Sequence, residues 1–173
     1  MLIVKEHSSS KYTPRTYYNA KSAEITLAFA MDFNTAGEKL TKKASYPNYL
    51  DLPLNDPWID NAMKIWKFLH KNNYRFINVA GNGIYTLNKY GMKQSDVDTY
   101  VLNVIKQVND YHQIIKIYTG GQTGVDLAGA KAGCQLGIDT EVTLPKGYIM
   151  RFEDGKDVSC TKGFVEELIK GER

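Results

Sequence analysis

The sequence predicts one α/β domain built on a doubly wound, Rossmann-like parallel sheet, spanning residues 1–173. Two patterns carry that prediction. Short β-favouring apolar runs alternate with stretches whose apolar residues recur at helical spacing. Three of the runs end in turns with chemically loaded residues, after Asp32, Ala80 and Thr119. Ligands of parallel sheets bind outside the carboxyl ends of the strands, where such turns lie. The chain length adds that one domain suffices, with roughly 70% of the unfolded surface buried on folding.

In chain order, residues 23–32 (AEITLAFAMD) read as a buried strand. Residues 35–43 read as a helix opened by a capping box, Thr35 with Glu38 three positions on. Residues 49–54 form a short strand. Asp56 and Pro57 take the N-cap and N1 positions of the next helix, in which Ile59, Ala62, Met63, Trp66 and Leu69 keep the helical period. Residues 75–80 (RFINVA) are a strand ending in Gly81-Asn82-Gly83. Ser95 is placed as the cap of a long helix whose Val97, Val101, Val104, Ile105 and Val108 form one stripe. Residues 114–119 are a strand, followed by the GGQTG turn and a small-residue helix through Ala128, Ala132 and Leu136. Residues 140–144 and 163–170 complete the pattern as strand and helix.

Composition narrows the function classes. With 43% hydrophobic and 24% charged residues, the chain has the make-up of an ordinary globular protein. The net charge of +3 comes from dispersed lysines, which argues against a nucleic-acid groove. Most of the 12 tyrosines sit beside strand and helix patterns, where packing explains them. Cys134 and Cys160 have neither metal-ligand nor redox-pair spacing, and His7, His70 and His112 are scattered. No metal site is expected, and no nucleophile can be named. The absence of a signal-like leader and of an apolar run of about 20 residues predicts a cytoplasmic protein without a membrane partner.

The run from Ile117 to Asp126 (IYTGGQTGVD) carries the most chemistry. A glycine-rich turn from strand to helix gathers backbone N–H groups at the positive end of a helix dipole, which favours an anion. Gly120 and Gly121 allow a ligand close to the backbone, Thr123 is placed as the helix cap, and Asp126 can accept hydrogen bonds from a ribose or base. Gln122 and Gly124 complete the candidate turn. The competing reading is a tight βα turn in which glycine serves geometry alone. No Gly-Lys-Ser/Thr follows, so the turn is not a Walker loop. Gly81-Asn82-Gly83 resembles the start of a G-x-G-x-x-G fingerprint, with Thr86 in the third glycine position, and reads as a pocket wall or a plain turn. Lys146 and Arg151 follow a strand end, where they would meet phosphate or stay in solvent.

These turns also carry a family resemblance. GGQTGVDLAGAKAGCQLGI, then LPKG and the tail Arg151, Glu153, Asp154 and Gly155, resembles the YpsA-like molybdenum-carrier family of the Rossmann-like SLOG superfamily. Arg15-Thr16-Tyr17-Tyr18-Asn19 with the strand Ile25-Thr26-Leu27 resembles the family's middle. Asn34-Thr35-Ala36-Gly37 resembles its second glycine turn, and Asn78-Val79-Ala80-Gly81 its last strand, which here precedes GGQTG. The resemblance covers nearly the whole chain and implies a circularly permuted SLOG domain, with the helix from Ser95 to Tyr111 joining the old ends. It also turns Arg15 and Asn19 from apparent loop residues into candidate ligand contacts. Phosphoribohydrolases of the superfamily use a motif glutamate, and Thr41 stands in its place here. Glu38 is a carboxylate nearby, equally explained by the capping box. The usual family Cys before PKG is Leu144.

The functional expectation is binding of a nucleotide or nucleotide-derived small molecule, such as an adenine nucleotide or an ADP-ribose-like compound, by a sensor or sequestering protein of the kind a phage could encode against host defence. Its contacts would be Gly120, Gly121, Gln122, Thr123, Gly124, Asp126, Asn34, Thr35, Gly37, Arg15, Asn19, Gly81, Asn82, Lys146 and Arg151. No further cofactor is required. The alternative is an N-glycosidic hydrolase of nucleoside monophosphates, with Glu38 and Asp126 as catalytic candidates, and a weaker one is carriage of a molybdenum cofactor. Homo-oligomers are expected from the family and from Trp58, Trp66 and tyrosine-rich surface.

Overall fold

Each strand expected between residues 23 and 144 is present, and the main sheet is parallel throughout. The structure is a computed structural model and describes residues 1–171. Its strands are β1 (Leu2–Glu6), β2 (Ile25–Ala30), β3 (Tyr49–Pro53), β4 (Phe76–Gly81), β5 (Lys116–Thr119) and β6 (Asp139–Leu144), with a small antiparallel hairpin of β7 (Met150–Arg151) and β8 (Asp157–Val158). The helices are α1 (Tyr12–Ser22), α2 (Ala36–Ser45), α3 (Trp58–Asn72), α4 (Ile84–Leu87), α5 (Gln94–Tyr111), α6 (Val125–Gln135) and α7 (Lys162–Lys170). The six strands lie in the order β1-β6-β5-β4-β2-β3. From the centre the chain winds outward through β2 to β3 in one direction and through β4, β5 and β6 in the other. The reversal falls between β2 and β4, where doubly wound sheets place their ligand crevice.

Helices cover both faces. Helices α1 and α2 pack together on one, and α3, α5, α6 and α7 on the other. Every residue of β2 is buried, as a central strand covered on both sides requires. Alternate residues point to opposite faces, and the two sets differ in chemistry. Ile25, Leu27, Phe29, Ile77, Val79 and Ile117 join Ile65, Val101, Val104 and Ile105 in the apolar core under α3 and α5. The intervening Thr26, Ala28, Ala30, Asn78 and Ala80 are small or polar and lie toward α1 and α2.

Several local expectations need correction. Arg15 and Asn19 are not loop residues; both are buried on α1, an element that composition did not announce. Pro57, not Asp56, is the cap of α3, and Lys93, not Ser95, is the cap of α5. There the Asp96 carboxylate, three residues on, accepts from the Lys93 backbone N–H at 2.8 Å. The Gly81-Asn82-Gly83 segment is more than a plain turn, because a short helix, α4, follows Gly83 and runs into a 3₁₀ turn over Asn88–Tyr90. Trp66 is half-buried and stacked on His70, with ring centroids 5.3 Å apart. Among the described residues no helix is long and apolar enough to cross a membrane.

Candidate functional site

A cavity of about 490 Å³ opens at the carboxyl ends of β2, β4 and β5, beneath α1 and α2. Asn78, Ala80 and Gly81 supply its part of β4; Arg15 and Asn19 reach it from α1; Glu38 and Thr41 reach it from α2. The small side chain of Ala80 leaves space there between the sheet and the helices. Among the described residues, no group of three or more His, Cys, Asp or Glu side chains could hold a metal ion.

The GGQTG turn behaves differently from the expected phosphate cradle. Gly124, not Thr123, is the N-cap of α6. Its N–H donates to Gln94 Oε1 at 2.6 Å, the Val125 N–H to the Asn82 carbonyl at 3.1 Å, and the Leu127 N–H to the Gln122 carbonyl at 2.8 Å. Gln122 and Gly81 offer their backbone N–H groups to Asp126. Arg15 Nη1 donates to the same carboxylate at 3.1 Å, in an ion pair buried on both sides. The anion cradled at this turn is therefore the chain's own Asp126. Burial pushes the Asp126 carboxyl up, and Arg15 with the two N–H groups pulls it back. Gly120 is required because any Cβ there would overlap the Arg15 guanidinium and the Asp126 carboxylate. Gly121 has φ +68° and faces away from the cavity, against Val142 and Leu144.

The side chains of Gln122 and Thr123 hold the β7–β8 hairpin. Gln122 Nε2 donates to the Ile149 carbonyl at 2.7 Å, its Oε1 accepts from the Arg151 N–H at 2.9 Å, and Thr123 Oγ1 donates to the Arg151 carbonyl. The anchored hairpin brings Arg151 to the cavity, where Asp157 binds it through Nε at 2.8 Å and Nη2 at 3.1 Å. The ring of Tyr12 lies 5.7 Å from the Arg15 guanidinium and 5.6 Å from that of Arg151, so this side of the cavity sets an aromatic ring between two guanidiniums, each paired with a carboxylate. Burial, then its hydrogen bond to Asp157, pushes the Tyr12 hydroxyl up to about 12.

Glu38 departs from a simple capping role. The Thr35 half of the box is present, its Oγ1 accepting from the Glu38 N–H at 3.2 Å. The Glu38 carboxyl, however, is only 2% exposed and lines the cavity, with Oε2 lacking any hydrogen-bond partner. Burial first, then the charges of Asp126 and Asp32, push it up to about 8, so it is largely protonated at neutral pH. Five buried side-chain atoms among the described residues lack a partner, and four of them belong to residues of this cavity: Arg15 Nε, Asn19 Oδ1, Glu38 Oε2 and Asn78 Oδ1. Each such group costs about 1–3 kcal/mol, so their concentration around one cavity is a local cost in stability.

Of the residues singled out from sequence, the structure brings Arg15, Asn19, Thr35, Gly37, Glu38, Gly81, Asn82, Gly120, Gln122, Thr123, Asp126 and Arg151 to the cavity. Asn82 serves as a brace: its Oδ1 accepts from the Met31 and Asp32 N–H groups at 2.9 and 3.0 Å, tying the turns after β2 and β4 together. Four expected contacts lie elsewhere. Asn34 is exposed, with its N–H bound to Asp32 Oδ1 at 2.8 Å; Lys146 is exposed beyond β6; Gly121 and Gly124 are taken up by packing. Sequence reasoning missed Tyr12, Asn78 and Tyr85. Asn78 had a signal, a polar residue inside an apolar strand, whereas Tyr12 and Tyr85 had none. No family model, no curated protein and no solved structure matches this chain.

Proposed function

We propose that the chain binds a nucleotide or nucleotide-derived small molecule, of the adenine nucleotide or ADP-ribose type, in the cavity between β4, α1 and α2. The observation that carries this reading is one ligand-sized cavity at the β2/β4 winding switch, flanked by four buried polar atoms without partners. Arg151 at the rim, although paired with Asp157, and the first turn of α2 at Ala36 and Gly37 in the cavity lining favour the anionic end of such a ligand. With the GGQTG turn occupied from within by Asp126, the phosphate belongs at this rim. Descent by circular permutation from YpsA-like SLOG proteins fits the topology. The strands last and first in the family order, β4 and β5, are neighbours here, joined through α4, the 3₁₀ turn and α5. A sensing or sequestering role follows from binding without turnover. Native mass spectrometry of the purified chain tests the reading: a retained nucleotide-sized mass supports it, and a ligand-free spectrum with excess adenosine monophosphate and ADP-ribose contradicts it.

One observation favours a second reading, N-glycosidic hydrolysis. A protonated Glu38 beside an ionisable Asp126 resembles the split pair that acid catalysis at an anomeric carbon needs. Asp126, though, is already tied to Arg15 and two backbone donors, which leaves no free base and favours binding. Adenosine monophosphate recovered intact after incubation supports binding. Release of adenine and ribose 5-phosphate, lost in Glu38→Gln, establishes the hydrolase. Self-association belongs to the same proposal: α3 exposes Trp58, Ile59 and Met63 by 36%, 41% and 54%. A sedimentation mass near 19.6 kDa at micromolar concentration removes that part.

A further inference from the structure

Two carboxylates of the chain hold two arginines beside the cavity, and they hold them differently. Asp126 grips Arg15 in a pair whose side chains are 6% and 11% exposed, whereas Asp157 grips Arg151 in one whose side chains are 40% and 49% exposed. Arg15 is thereby part of the wall, and Arg151 keeps a surface that a ligand can reach. A guanidinium carries its N–H groups in one plane, one on Nε and two on each Nη. Asp157 takes the Nε–H at 2.8 Å and one Nη2–H at 3.1 Å, which is one edge of the fork. Among the described residues no acceptor meets Nη1, so the second edge, one N–H from Nη1 and one from Nη2, is unused. Arg151 lines the cavity and Asp157 does not, so the unused edge is the one left to the cavity.

An exposed arginine ordinarily samples many rotamers and loses that freedom when it binds. At Arg151 much of it is already gone. The Arg151 N–H donates to Gln122 Oε1 at 2.9 Å and its carbonyl accepts from Thr123 Oγ1, which ties this backbone to the glycine turn. Asp157 is fixed in turn by the Tyr12 hydroxyl, which donates to Oδ1 at 2.8 Å, and the Tyr12 ring lies 5.6 Å from the guanidinium. We propose that the unused Nη1–Nη2 edge of Arg151 is a preformed phosphate fork at the cavity mouth, positioned by Asp157 and Tyr12, and that it selects the phosphorylated form in the nucleotide reading on which this rests. Two phosphate oxygens match two parallel N–H groups, a fit that a lysine ammonium lacks. A bare nucleoside gains nothing from the fork.

The variant Asp157→Asn separates grip from charge. It removes a negative charge beside the fork, so charge alone predicts tighter phosphate binding, whereas loss of the grip predicts weaker. Calorimetry with adenosine monophosphate, adenosine and inorganic pyrophosphate reads the difference. The expected result is monophosphate binding weaker by at least about fivefold, with adenosine affinity held within about twofold, and Arg151→Lys giving the same split. Monophosphate affinity equal to or above that of the wild type overturns the positioning role and leaves the nucleotide reading standing. An equal loss for monophosphate and adenosine makes Asp157 a general support of the fold and overturns that role too. Pyrophosphate binding that weakens in Asp157→Asn, with no binding of the monophosphate or adenosine, keeps the fork and removes the nucleotide reading. No binding of any of the three by the wild type removes both.

Discussion

On one face of the sheet, Leu27, Phe29, Ile77, Val79 and Ile117 are sealed beneath α3, α5 and α6 with no exposed surface. On the other, Asn78 and Ala80, their immediate chain neighbours, line a cavity beneath α1 and α2 whose residues carry unpaired polar atoms. The same strands supply both faces, so propensity is not what separates them. The difference is side-chain volume and polarity at alternate positions. Large apolar residues let α3 and α5 close on the sheet, whereas alanines and an asparagine hold α1 and α2 off it. Stability is concentrated on the first face, and the second gives some up to keep a site open.

The largest effect that separates the faces is expected at Phe29, which is fully buried. Phe29→Ala should lower stability by about 3–5 kcal/mol in urea denaturation. A loss under about 1 kcal/mol would erase the distinction.

Next comes the pH dependence of Glu38 on the polar face. Its carboxyl titrates at about 8 in the folded chain against an ordinary 4.5, so between these values the folded chain keeps a proton that the unfolded chain has lost. Stability from this group is therefore highest in acid, falls as pH rises through that window, and reaches its minimum above about 8. Glu38→Gln should match the wild type at pH 4 and exceed it by roughly 2–4 kcal/mol at pH 9. Urea midpoints that stay parallel across the range would contradict the placement of Glu38.

Gly121→Val comes third. The GGQTG motif alone suggests a clean loss of ligand there. The structure instead sets a Cβ 2.5 Å from Val142 Cγ1 at φ +68°, so the chain should lose about 1–3 kcal/mol of stability. A variant with an unchanged melting curve would return this glycine to the ligand. The smallest effect is at Thr143, whose hydroxyl is buried without a partner on the polar face. Thr143→Val should be neutral or stabilising by up to about 1 kcal/mol, and a clear loss would reveal a partner for that hydroxyl.

Much of this architecture is legible in the sequence, for reasons that also explain the misses. Parallel strands such as ITLAFA and FINVAG are buried on both sides and announce themselves as apolar runs, and the α5 stripe from Val97 to Val108 keeps a helical period. Helix α1 hides because its buried positions hold Arg15 and Asn19, which face a cavity instead of a core. Arg15 and Asn19 are reached through motif resemblance and Asp126 through the glycine turn, and all three line the cavity. What no motif shows is that Asp126 turns back on its own glycine turn, and that Gln122 and Thr123 are used to anchor a hairpin. Those are long-range pairings, such as Thr123 with Arg151, that leave no local trace. The orphaned Asn78 was visible as an oddity in its strand but gains meaning only beside Thr26 and Ser45.

The central claim, that the polar-face cavity is where the ligand binds, is tested most directly at Gly37. A Cβ there meets nothing closer than Thr35 Oγ1 at 4.0 Å, so Gly37→Leu adds bulk to the cavity wall without strain. Isothermal titration with adenosine monophosphate and ADP-ribose should give saturable one-site binding to the wild type for at least one of them. The variant should bind that ligand at least about 30-fold more weakly, with a urea midpoint shifted by no more than about 0.5 kcal/mol in stability. Equal binding by the two proteins, or no binding by the wild type, would contradict the account.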